Sequence, residues 1–245
     1  MKSFLDEQVR LINTPLFIET DPVQFPHRYK RLHDIEIVSF IVSTIAWGRR
    51  EMILRNADRM LSKMGESPYE YVMNEDYHAL GGANIHRTFF EPDLAYMLRG
   101  FRKIYSENDT VESFLQKRET QNAWSIAGAL QSEMALANNG KENSKCMPSR
   151  TEKSALKRIN LALRWLVRND GIVDLGVWKI LKPSQLFIPL DVHVANVARK
   201  LDILQRKSND RRAVEELTAV LRTFCPEDPV KYDFALFGIG VRGEK

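Results

Sequence analysis

Asp191 is the residue best placed to do chemistry. It follows Ile188-Pro189-Leu190 and opens the run from Val192 to Leu201. Pro189 forbids helix at its own position and biases Ile188 toward extended backbone. Beyond it, Val194, Ala198 and Leu201 recur at helical spacing. Asp191 therefore falls at the N-cap of an amphipathic helix, where its oxygens accept the free N–H groups of the first turn. A carboxylate so placed is held rigidly enough to react, and it can equally be a structural cap. A second segment, Ser154 to Arg168, carries Leu156, Ile159, Leu163 and Leu166 as a helical core stripe. Lys157 stands beside that stripe. With Arg164 and Arg168 it marks a further face, on which three cations spread over about three turns, or ~16 Å. Such a row matches the spacing of phosphates, and its bland counterpart is a solvated basic face whose alkyl stems shield the core.

The elements that must position these groups are helices. With 245 residues, 44% hydrophobic and 28% charged, the chain is expected to be a soluble globular protein of one or two domains. Strand signals are scarce, so the expected class is all-α. Ile35 to Leu61 reads as helix with a break at Trp47-Gly48, and a second helix runs from Glu51 to Met64. Further helices are expected from Pro92-Asp93 through Phe101, over Val111 to Leu115 and over Ala123 to Ala137. Residues 138–145 form a polar loop. Asp228-Pro229 predicts a helix start, with Val230, Phe234 and Phe237 on one face and Gly238 and Gly240 ending the helix. Two cysteines, at 146 and 225, cannot build a disulfide framework or a four-cysteine metal site, which points to a reducing cytoplasm and to no visible cofactor. No signal-peptide core and no run of about 18 apolar residues occurs, so neither export nor membrane insertion is expected. The charge of +4 and pI near 9.0 hint at an acidic partner such as nucleic acid.

The Ile188 to Leu201 segment resembles the catalytic-aspartate helix of the helix-hairpin-helix DNA glycosylase superfamily, the endonuclease III and 8-oxoguanine glycosylase group. Lys157-Arg158-Ile159 followed by Arg164, then Pro189-Leu190-Asp191, is similar in particular to the archaeal 8-oxoguanine glycosylase branch. The resemblance implies Lys157 as a nucleophile toward the sugar C1′ and Asp191 as its activator, since such enzymes need an amine to attack and a carboxylate to deprotonate it and to stabilise oxocarbenium-like charge. The pattern departs from the superfamily at one place: between Lys157 and Asp191 there is no Leu-Pro-Gly-x-Gly hairpin, and Asn169 to Lys179 stands there instead. Lys179 and Lys182 are rival amines without a matching motif. Asp21 to Tyr29, Asp34 to Ile37, Ala46 to Arg49, His86 to Phe89, Leu163 to Trp165 and Pro229 to Gly238 are, in addition, similar to a family of uncharacterised bacterial proteins, mainly of Bacteroidetes, over nearly the whole chain.

Other constellations weigh less. His33-Asp34 resembles the metal-binding dipeptide of helical phosphohydrolases but lacks recognisable further ligands, so no metal site is expected. Arg28 and Lys30, flanking Tyr29, could touch phosphate or lie in an exposed loop. Trp47 could stack on an extruded base or belong to the core. His193 is expected to be a buried, hydrogen-bonded imidazole. These features combine into a two-lobed helical, glycosylase-like fold with a central groove. Residues 35–187 would carry Lys157, and 1–34 with 188–245 would carry the Asp191 helix. The expected function is base excision from damaged duplex DNA by a glycosylase, with or without an accompanying AP lyase step. No membrane and no obligate protein partner enters that reading. Its alternatives are a catalytically silent nucleic-acid binder that keeps the fold and a helical protein-interaction module.

Overall fold

The computed structural model describes residues 1–243. Along the chain run α1 (Lys2–Ile12), α2 (Pro15–Thr20), α3 (Leu32–Ile45), α4 (Arg50–Ser62) and α5 (Pro68–Met73). A short hairpin follows, β1 (Asn84–His86) and β2 (Phe89–Phe90), then α6 (Glu91–Glu107), α7 (Val111–Lys117) and α8 (Ala123–Leu136). The last four helices are α9 (Lys157–Val167), α10 (Val192–Lys200), α11 (Arg211–Phe224) and α12 (Tyr232–Gly243). The fold is mainly helical, and the two-residue to three-residue antiparallel strands are its only described sheet. The chain divides into two compact units. One is Thr20–Thr151, and the other joins Met1–Glu19 to the chain from Glu152 onward. These boundaries differ from the expected ones at 34/35 and 187/188, and the difference puts Lys157 and Asp191 in the same unit.

In the Thr20–Thr151 unit, α3 is buried from Asp34 through Ile45. The helix stops at the expected break, where Gly48 takes φ +98°, a conformation open to glycine and strained for other residues. Two carboxylates of its first turns are buried and serve as caps for other helices. Asp34 Oδ1 accepts from Ser67 Oγ at 3.0 Å and from the Tyr69 amide at 2.8 Å, at the start of α5. Glu36 accepts from the Tyr105 hydroxyl at 2.8 Å and from the Val111 and Glu112 amides at 3.0 and 3.1 Å, at the start of α7. A buried acid is tolerated when its oxygens are filled this way, and the helix N-terminus favours its charge. His33 packs its ring against Tyr69 and Tyr105. The His33-Asp34 pair is thus structural.

In the unit formed by the two ends, α12 packs against both α1 and α10. Gly238 and Gly240 lie inside α12 and do not end it as expected. A Cβ on Gly238 would come within 2.5 Å of Ile12 Cγ1, and one on Gly240 within 3.5 Å of Val197 Cγ2. The small residues let neighbouring helices approach, and the apolar surface buried outweighs a helix penalty of about 1 kcal/mol per glycine. Phe17 meets the rings of Phe234 and Phe237 edge-on, which ties α2 to α12. Asp228 accordingly makes no side-chain cap. A short 3-10 turn, Pro229–Lys231, precedes α12, and the Asp228 carboxylate turns to Arg168.

Candidate active site

Lys157 is the first residue of α9, placed there by an unusual residue. Leu156, 3% exposed, adopts φ +50°, a left-handed conformation uncommon for a branched side chain. The turn is held by Asn160, whose amide donates to Leu156 O at 2.8 Å and whose Nδ2 donates to Ala155 O at 3.1 Å. Asp191 occupies the N-cap of α10 as the sequence predicts, with extended backbone and Oδ1 accepting from the Val194 amide at 2.9 Å. Both side chains sit in half-buried residues. Capping uses one oxygen, so Oδ2 is left outside the cap.

Asp233, in the first turn of α12, is the group that sequence reasoning missed. It is buried, and its pKa is pushed up to about 6 by burial, against the opposing charge of Arg164. The negative charge of Asp191 raises it further and the positive charge of Lys157 lowers it. The starts of α9 and α10 therefore bring an amine and a second carboxylate within reach of Asp233 at the start of α12. One of those carboxyls titrates near neutrality, which marks sites where proton transfer is possible.

Arg164 and Arg168 do not form a solvated basic row. Each is 3% exposed, because α9 is enclosed on nearly every side and not only along its leucine stripe. Arg164 Nε meets Asp174 Oδ1 at 3.2 Å, and its Nη1 pairs with Asp233. Arg168 Nη1 lies 2.7 Å from Asp170 and 2.8 Å from Asp174, while its Nε is 2.8 Å from Asp228. Phe234 underlies both guanidinium groups, at 4.4 and 5.3 Å. Two cations thus face four carboxylates, and no charge is left over for phosphate. Burial pushes the Asp174 carboxyl above its ordinary range despite both arginines. For Asp170, burial is outweighed by Arg168 and by the Asn13 amide at 2.6 Å, and its pKa is lowered. Burial likewise opposes the Arg168 charge, yet Asp174 and Asp228 hold it more firmly protonated than a solvated arginine.

The interval that replaces the expected hairpin folds back on the end of α9. Leu175 and Gly176 amides donate to Trp165 O at 2.8 and 3.3 Å, and the Trp178 amide donates to Leu166 O at 2.8 Å. Asp170 Oδ1 accepts from the Ile172 and Val173 amides. Gly176 has φ +61°, and a Cβ there would lie 2.3 Å from Asn169 Cβ. No second helix forms before α10; the 3-10 turn Pro183–Gln185 is the only helical element between.

The remaining candidates are scattered. Lys179 and Lys182 are exposed, Lys179 Nζ lying 3.4 Å from Gly176 O. His193 is exposed and not buried as expected. Arg28 pairs with Asp58 at 2.6 Å over the Phe25 ring, and Lys30 is exposed. Trp47 is half-buried in the turn after α3, with the Arg87 guanidinium 4.7 Å above its ring. A hollow of about 760 Å³ lined by Lys63, Tyr71, Glu75, His78 and Glu91 takes in none of these residues. Among the described residues no cluster of three His, Cys, Asp or Glu side chains could hold a metal, and no helix is long and apolar enough to cross a membrane.

The chain belongs to the family described as Protein of unknown function (DUF2400), which it matches over residues 21–242. No curated protein and no solved structure matches it.

Proposed function

We propose that this member of the family is a base-excision glycosylase of the helix-hairpin-helix type, acting on a damaged base extruded from duplex DNA in the cytoplasm. Lys157 is the nucleophile and Asp191 its activator. The observation that carries the reading is the shared field at Asp233: Lys157 and Asp191, 34 positions apart in sequence, both act on one buried carboxyl. Lys157 also begins α9. Neutral Nζ attacks C1′ and the bond from C1′ to the base nitrogen breaks, its electron pair leaving with the base. Asp191 accepts a proton from the attacking nitrogen, and opening of the sugar then gives an imine between Lys157 and C1′. Elimination of the 3′ phosphate from that imine cuts the strand.

Borohydride reduces such an imine to a stable amine, so it traps protein on DNA. Across a panel of lesion duplexes, the parent should give a trapped adduct on at least one and Lys157→Gln on none. A parent that releases no base from any lesion would replace this reading with that of a silent nucleic-acid binder, for which the lack of a second α-helix between α9 and α10 is the structural sign.

A further inference from the structure

Arg164 and Arg168 are consumed inside the fold, so a DNA-binding member of this family must hold phosphates elsewhere. We propose that Arg87, seated over the Trp47 ring, and the exposed Arg49 two residues beyond Trp47 form a contact surface for the phosphodiester backbone of duplex DNA; this rests on the proposed glycosylase reading.

Four independent features build the surface. The guanidinium of Arg87 lies 4.7 Å from the centre of the Trp47 ring, a cation-π contact that holds the group at the indole while the residue stays exposed. Gly48 makes room for it: a Cβ there would approach Arg87 Nη1 to 2.8 Å, and its φ of +98° excludes most other residues. Arg87 itself takes φ +53° at the tip of the β1–β2 hairpin, where Asn84 Nδ2 donates to its carbonyl at 2.6 Å. His86 locks the turn from below, with Nε2 2.8 Å from Trp47 O, Nδ1 2.9 Å from Asn56 Nδ2, and its ring edge-on to the indole. Burial keeps the imidazole neutral under these two bonds, so it braces the turn and adds no charge.

A strained left-handed backbone at an exposed arginine needs a compensating use. Arg87 and Arg49 are both exposed, and neither pairs with a carboxylate among the described residues. Their neighbours differ: Arg28 is spent on Asp58, Arg50 on Asp21 and Arg31 on Glu70. A planar fork held on an aromatic ring suits bidentate recognition of a phosphate, and Arg49, exposed and next to Gly48 in the chain, supplies a second cation.

The test is the salt dependence of binding to an undamaged DNA duplex, read by fluorescence anisotropy. Each phosphate contact contributes ~0.9 to the slope of log affinity against log salt, so Arg49→Ala/Arg87→Ala should lower it by about 1.8. Between about 50 and 200 mM salt the double variant should lose about 12-fold less affinity than the parent. Arg87→Lys, which keeps the charge, should restore about half of that difference, whereas Gly48→Ala, which pushes Arg87 off the ring, should weaken binding with no change in charge. A parent slope retained by a folded double variant overturns the proposal, as does an effect confined to duplex RNA. If the parent is trapped on lesion DNA while the slope is retained, this surface fails and the reaction stands. If the slope falls and nothing is trapped, the surface stands and the reaction fails.

Discussion

Replacing Arg164 with leucine separates a buried ion network from a DNA-binding row. The guanidinium is 3% exposed, bridges Asp174 and Asp233, and stacks on Phe234. Leucine keeps much of the apolar stem but leaves two buried carboxylates short of a partner, and breaking such a network costs about 3–5 kcal/mol. At ~2–4 °C per kcal/mol for a protein of this size, the Tm should fall by about 6–20 °C. Asp233 gives the loss a pH signature. Its pKa rises from 3.8 to about 6 on folding, so its share of the stability, roughly 3 kcal/mol by linkage, is complete below about pH 4 and lost as pH climbs through about 6. Arg164 opposes that rise. Without it the folded pKa climbs further, so the variant's deficit should be greatest near pH 8 and shrink toward pH 5. Thermal and urea unfolding of parent and variant across that range measure both effects, with exposed Lys182→Ala as a control expected within about 0.5 kcal/mol of the parent. A Tm shift below ~2 °C, independent of pH, would show that the guanidinium is not holding buried charge and would refute the reasoning.

Asp191→Asn keeps a capping oxygen for the Val194 amide, so the protein should fold with a Tm close to the parent's. Base release in a single-turnover assay should nevertheless fall by several orders of magnitude; equal rates would reduce Asp191 to a cap. Gly176→Ala meets both a φ of +61° and an overlap with Asn169, and should destabilise by more than the ~1 kcal/mol typical of a lost left-handed glycine. A urea midpoint equal to the parent's would mean that the 169–178 fold-back is not rigid.

The sequence made the local part of this structure legible. Pro189 and the spacing of Val194, Ala198 and Leu201 placed Asp191 at a helix start, and Trp47-Gly48 marked the end of α3, because caps and breaks depend on a few adjacent residues. What it left hidden depends on distant ones. The spacing of Arg164 and Arg168, seven and eleven residues after Lys157, fits a solvated cationic face and a buried column equally well. The signal that decides between them is the set Asp170, Asp174, Asp228 and Asp233, two of which come 60 or more positions later. Asp233 stayed out of view for the same reason: only the packing of α12 against α10 gives it a place beside Asp191. Gly238 and Gly240 read as a helix end because their use, making room for Ile12 and Val197, belongs to helices far away in the chain.

Uniting the first 19 residues with the chain beyond Glu152 has a consequence for biosynthesis. Helix α1 leaves the ribosome some 220 residues ahead of α12, the helix on which it packs. At ~5–20 residues per second, its buried face, with Leu5 and Val9, waits about 11–44 s for a partner. The contiguous Thr20–Thr151 unit emerges whole in that interval and is free to fold first. The order of events in the nascent chain thus runs from the middle outward, and a chaperone that shields short amphipathic segments would act on α1 during that wait.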